Sequence, residues 1–123
     1  MVVLMVTAGD AMTKVEYDPP NYDIIRKAVG GLCEYVQPEM LNSSYCMMVN
    51  EAGYLCGLPE NFLASLFYHG QPILGDVLFL KHGFYGGEPD VVGMTEVEAQ
   101  VLGDLLSLLT CGVVHWAPEM VEV

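Results

Sequence analysis

Positive charge is the scarcest thing in this sequence. Of 123 residues only Lys14, Arg26, Lys27 and Lys81 are basic, against 16 Asp and Glu, for a formal net charge of −12. No base falls between Ala28 and Leu80 or beyond His82, while those two stretches carry five and seven acids. Such a chain has no basic footprint for phosphate backbones, so direct nucleic-acid binding is not expected. The acids form no runs. The plain reading is solubility, and the sharper ones are a basic protein partner or imitation of the charge of DNA.

Long hydrophobic runs are also missing. The longest, Met1 to Val6, falls far short of the about 20 residues that span a bilayer, and it lacks the basic start and small-residue cleavage site of a secretory signal. No membrane association and a cytoplasmic location are the expectation. The four cysteines (Cys33, Cys46, Cys56, Cys111) contain no C-x-x-C pair. They read as small packed thiols rather than a disulfide framework.

Chemical signatures are scarce as well. The three histidines and four cysteines lie outside zinc spacing, and there is no G-x-S-x-G elbow or G-x-x-x-x-G-K-[ST] loop. Glu96 with Glu98 is explained by a helix start, and Glu88 with Asp90 by a solvated turn. No catalytic residue, metal or cofactor is assigned, and an enzyme is not the expected reading.

What is present is apolar: 53% of the residues are hydrophobic and 16% charged. A chain of this size is one ordinary domain with enough core to fold without staples. The expected fold class is α+β, a mixed and mostly antiparallel sheet with two or three helices, in a single domain over 1–123.

Met1 to Val6 reads as a strand buried on both faces, and Lys14 to Tyr17 as a short edge strand. A helix begins at Pro19-Pro20, capped by Asp18 or Asn21. Ile24, Ile25, Ala28 and Val29 form its stripe, and Gly30-Gly31 stops it. Leu32 to Val36 reads as a strand. Tyr45 to Val49 and Tyr54 to Cys56 flank Asn50-Glu51-Ala52-Gly53, which predicts a hairpin. Glu60 to Tyr68 reads as a short helix and Asp76 to Lys81 as a strand. His82 to Pro89 reads as a glycine-rich loop, with Val91-Val92 pairing back. Thr95 and Glu98 form a capping box. Val97, Val101, Leu105 and Leu109, widened by Leu102, Leu106 and Leu108, predict a deeply packed helix face. Val113 to Trp116 reads as a last strand.

The segment Asn50-Glu51-Ala52-Gly53-Tyr54-Leu55-Cys56-Gly57-Leu58-Pro59-Glu60-Asn61 is similar to the N-E-x-G-x-L-x-G-L-P-x-N signature of the family called domain of unknown function 3846. The flanks Val29-Gly30-Gly31, Gly75 to Leu80 and Met94-Thr95 resemble it too, and the likeness runs from about Val29 to Leu102. The resemblance implies a small cytoplasmic protein of bacteria, phages or mobile elements. It carries no activity, cofactor or catalytic residue. Members often have an arginine after the final Asn, where this chain has Phe62.

Three functions follow as expectations. The first is a non-enzymatic protein-binding accessory module with a basic partner, touching it at Asn50, Glu51 and Asn61; the simpler role for both asparagines is turn and helix capping. The second is a small-molecule binder or small enzyme with a pocket near the Gly83 to Gly87 loop, using His69, His82 and Tyr85. The third is a structural subunit that forms homo-oligomers.

Overall fold

The computed structural model describes residues 1–69 and 71–118; Glu119 and Glu122, counted among the acids above, lie outside them. Seven strands and three helices follow one another as β1 (Val2–Val6), β2 (Ala11–Glu16), α1 (Tyr22–Val29), β3 (Cys33–Val36), β4 (Tyr45–Asn50), α2 (Phe62–Leu66), β5 (Val77–Tyr85), β6 (Glu88–Val92), α3 (Glu96–Leu109) and β7 (His115–Trp116). The strands form one sheet in the order β3-β4-β5-β1-β2-β7, antiparallel except where β7 lies parallel to β2. The chain is an α+β domain.

β5 organises the sheet. Its first half pairs with β4 on one edge and β1 on the other, and its second half turns back on β6 from Lys81 to Tyr85. Lys81 is opposite both Tyr45 and Val92, so β6 continues along the edge that β1 occupies. The expected loop from His82 to Pro89 is therefore a hairpin. Gly86 and Gly87 alone make the turn, at φ +61° and +82°. Two successive left-handed residues give the twist that matches paired strands, and glycine reaches it without a Cβ clash.

Strand alternation sorts the core into two clusters. Leu4, Val6, Met47, Val49, Val77 and Phe79 face α2 and α3, where they meet Leu63, Phe67, Leu102 and Leu106. Val3, Cys46, Met48, Leu78 and Leu80 face the other way and meet Ile25 of α1. Neighbouring residues of β1, β4 and β5 are buried on opposite sides, which is why these strands read as unbroken apolar runs. One short helix roofs the second face, and it leaves open ground on that side.

Helix ends follow local chemistry. Asn21, rather than Asp18, caps α1 by accepting from the Ile24 amide, and Gly30 closes it in a left-handed conformation. Asn61 caps α2 and Thr95 caps α3, the latter with the reciprocal Glu98 bond of a capping box.

Two expectations fail. No strand returns after Asn50: β4 already has β3 and β5 on its two edges, and Glu51 to Gly57 coils instead. Cys56 N donates to Ala52 O and Leu58 N to Gly53 O, bonds that close a compact turn rather than a ladder. The second concerns α3. Its buried residues are Ala99, Leu102, Gly103 and Leu106, whereas Val97, Val101, Leu105, Leu108 and Leu109 are exposed. The helix is apolar on both sides, so periodicity alone had two stripes to choose between.

Candidate functional site

Three places combine exposure with organised chemistry. The first is the turn that follows β4. The Asn50 side chain accepts from the Ala52 amide at 2.8 Å and donates to Val29 O at 3.0 Å, which ties the turn to the end of α1. Asn61 accepts from the Ala64 amide at 3.1 Å and donates to Val6 O and Gly75 O, both at 3.0 Å. It is 1% exposed, and its bonds join α2, β1 and the start of β5. Glu51 is exposed and holds the turn through its backbone, donating to Leu32 O at 2.8 Å. What the turn presents outward is Tyr54 and Leu55, 86% and 85% exposed.

The second place is a groove of about 490 Å³ on the α1 face, beside the β5–β6 hairpin. Met48 and Val91 form its apolar floor, and Tyr22, Tyr35 and Phe84 stand around it. Two of these rings are fastened at their hydroxyls. Tyr22 donates to Asp90 Oδ1 at 2.9 Å. Tyr35 donates to Gln37 Oε1 at 2.8 Å and lies 2.7 Å from His82 Nε2. Gln37 Nε2 donates to Tyr45 O at 2.9 Å, so the Gln37 amide is oriented with Oε1 toward Tyr35 and His82. The carboxylate bond, then burial and the charge of Asp90, raise the pKa of Tyr22; burial chiefly raises that of Tyr35. Both rings enter the groove as neutral phenols.

The expected pocket residues separate here. His82 lines the groove, one residue before Gly83. Tyr85 shares the strand parity of Phe79 and Lys81 and belongs to the opposite, α3 face of the sheet. His69 follows α2, ion-paired through Nδ1 with Glu39 and stacked near Tyr68. The structure does not bring the three together. The residues that shape the groove (Tyr22, Tyr35, Phe84 and Asp90) come from α1, β3, β5 and β6, and only the pairing of those elements joins them. Asp90 is part of a strand and not of a solvated turn.

The third place is the outer face of α3. Val97, Val101 and Leu108 are 72%, 62% and 76% exposed, at spacings that stack them in one stripe. The inner face is held firmly. Lys81 Nζ lies 2.6 Å from Glu98 Oε2, and Lys14 Nζ lies 3.2 Å from Glu96 and 3.0 Å from Gln100. The bond to Lys81 is the main reason that the Glu98 carboxyl titrates below its ordinary value, and the same bond raises Lys81.

Burial pushes the Cys46 thiol up to about 12, which holds it protonated and unreactive. Among the described residues no three His, Cys, Asp or Glu side chains converge as metal ligands would, and no helix is long and apolar enough to cross a membrane.

No curated protein and no solved structure matches the chain. A family model described as Domain of unknown function (DUF3846) matches residues 1–105, which include the whole sheet except β7, all of α1 and α2, and most of α3. The chain belongs to that family.

Proposed function

We propose that this is a non-enzymatic protein-binding module, an accessory protein of bacterial or phage and mobile-element origin acting in the cytoplasm, and that it docks a basic partner on the outer face of α3. The observation that carries the reading is the stripe Val97, Val101, Leu105 and Leu108, turned to solvent from a helix whose opposite side is packed on the sheet. A surface helix normally turns a polar face outward, and one that is apolar on both sides normally has a neighbour on each. Charge selects the kind of neighbour. Glu96, Glu98 and Asp104 are the charged residues of α3, with no base among them, in a chain of net charge −12. A complementary surface is an apolar strip bordered by Lys and Arg.

The test uses the full chain and its Val101→Ser/Leu108→Ser variant as bait in an extract of the native host. A protein captured by the parent, lost with the variant and then reconstituted one-to-one from purified components, with affinity that falls as salt rises, supports the reading. Capture that the double substitution leaves unchanged overturns it. So does a dimer of the parent in light scattering that the variant dissolves, since the strip would then belong to a second copy.

A further inference from the structure

We propose that the groove between α1 and the β5–β6 hairpin receives the guanidinium of an arginine presented by an extended basic polypeptide. The groove lies on the face of the sheet opposite α3, so the inference stands apart from the α3 docking strip.

Three features point to a planar cation. Tyr22, Tyr35 and Phe84 present ring surface to solvent around an apolar floor, and Phe84 is 73% exposed. Aromatic faces carry negative electrostatic potential. A guanidinium is flat and weakly hydrated, so it stacks on them with less loss than an ammonium ion. The Asp90 carboxylate completes the wall with one oxygen to spare. Its Oδ1 accepts both from the Tyr22 hydroxyl and from the Val91 amide, at 2.9 and 2.7 Å, while Oδ2 has no partner among the described residues. No Lys or Arg lines the groove to neutralise it.

A further polar group at this place is unmatched. The Tyr17 hydroxyl is buried and makes no hydrogen bond to a described residue. Burial mainly, and the charge of Asp90 in addition, raise its pKa, against the opposing influence of the nearby Asn21 amide. The negative field of Asp90 is thus felt beneath the groove as well as at its wall. The walls need little ordering on binding, because Asp90 fixes Tyr22 while Gln37 fixes Tyr35 and His82. Preorganised walls lower the entropic cost of capture. At about 490 Å³ the groove is larger than one side chain, which leaves space for the residues flanking an arginine.

The test is a titration of the full ¹⁵N-labelled chain, followed by amide shifts at Gly83, Phe84, Asp90 and Val91. The probes are a blocked Gly-Arg-Gly-Arg-Gly peptide, its lysine counterpart and N-acetyl-arginine amide. The arginine peptide is expected to shift these signals saturably, at least fivefold more tightly than either other probe. Asp90→Asn and Phe84→Ser should each weaken it at least fivefold. Phe84 is exposed, so the second variant is insulated from any folding defect of the first. Equal binding of the lysine peptide would reduce the effect to general attraction to an acidic protein and overturn the proposal. Equal binding of N-acetyl-arginine amide would assign the groove to a free guanidinium compound and overturn the polypeptide. No shift at the groove, or binding unchanged in Phe84→Ser, would overturn the site itself.

Discussion

Trp116 lies against Gly103 so closely that a methyl group on that glycine would sit 2.2 Å from the indole Cζ2. The indole is fastened on its other sides by Nε1 donating to Asp104 Oδ1 at 2.9 Å and by Lys14 Nζ, 5.4 Å from the ring centroid. Since Trp116 forms the β7 edge beside β2, Gly103 decides whether the last strand can join the sheet. Gly103→Ala gains about 1 kcal/mol in helix propensity. Overpacking costs about 1–3 kcal/mol, and the rigid ring has little room to yield. We expect a net loss of stability in thermal melts and a red shift of the fluorescence of the one tryptophan, as its ring moves into water.

Asn61 is expected to be the more costly of the two turn asparagines. Asn61→Ala removes a helix cap worth about 1 kcal/mol and strips partners from two backbone carbonyls at a site that water does not reach. A loss of about 3 kcal/mol or more is expected in chemical denaturation. Asn50→Ala should cost about 1–2 kcal/mol, since it removes one carbonyl partner and one turn bond. Tyr54→Ser, fully in solvent, should stay within about 0.5 kcal/mol of the parent.

The Lys81–Glu98 pair gives a pH signature. Its bond lowers Glu98 from an ordinary 4.5, so that part of the stabilisation is present above about pH 4.5 and is lost as pH falls through the lowered value. Lys81 is raised from an ordinary 10.5, so its part is present below about pH 10.5 and is lost as pH rises through the raised value. In melts of the parent and Lys81→Met, the difference in Tm should be level between those limits and shrink beyond both. The two side chains are 30% and 35% exposed, so added salt should also reduce it.

Val101→Ser/Leu108→Ser should leave folding stability within about 0.5 kcal/mol while raising solubility, because neither side chain contributes to the core. Leu106→Ala, one turn away on the inner side, should cost about 2–5 kcal/mol. Denaturation of the two variants side by side checks the assignment of faces.

Much of this fold was legible from local chemistry. β1, the first half of β5, the stripe of α1 and its glycine stop, and the Thr95–Glu98 box each declare themselves within a few residues. The elements that misled did so for physical reasons. In α3 the apolar residues lie all round, and the informative signal was the small pair Ala99 and Gly103, which lets the helix approach Trp116 and the sheet. In β5 the residues His82 to Tyr85 are polar or exposed and include Gly83, so they resemble a loop until β6 is seen to pair with them. After Asn50, turn chemistry was read correctly as a turn and wrongly as a hairpin, because local sequence does not show that both edges of β4 are taken. The aromatic groove was invisible: Tyr22, Tyr35, Phe84 and Asp90 are far apart in the chain, and each alone is an ordinary surface residue.

The two lysines that pin the start of α3 also govern how a partner finds this protein. Lys14 and Lys81 are matched to Glu96 and Glu98, and Arg26 to Asp23, so three of the four bases are locally neutralised. At a distance the molecule therefore presents a nearly uniform negative field. A cationic molecule is drawn in from almost any direction and at a rate that drops steeply with ionic strength, and the short-range contours of the surface act only after contact. Speed of encounter and choice of partner are in this way separated, the first set by the whole charge of the chain and the second by a few uncharged side chains.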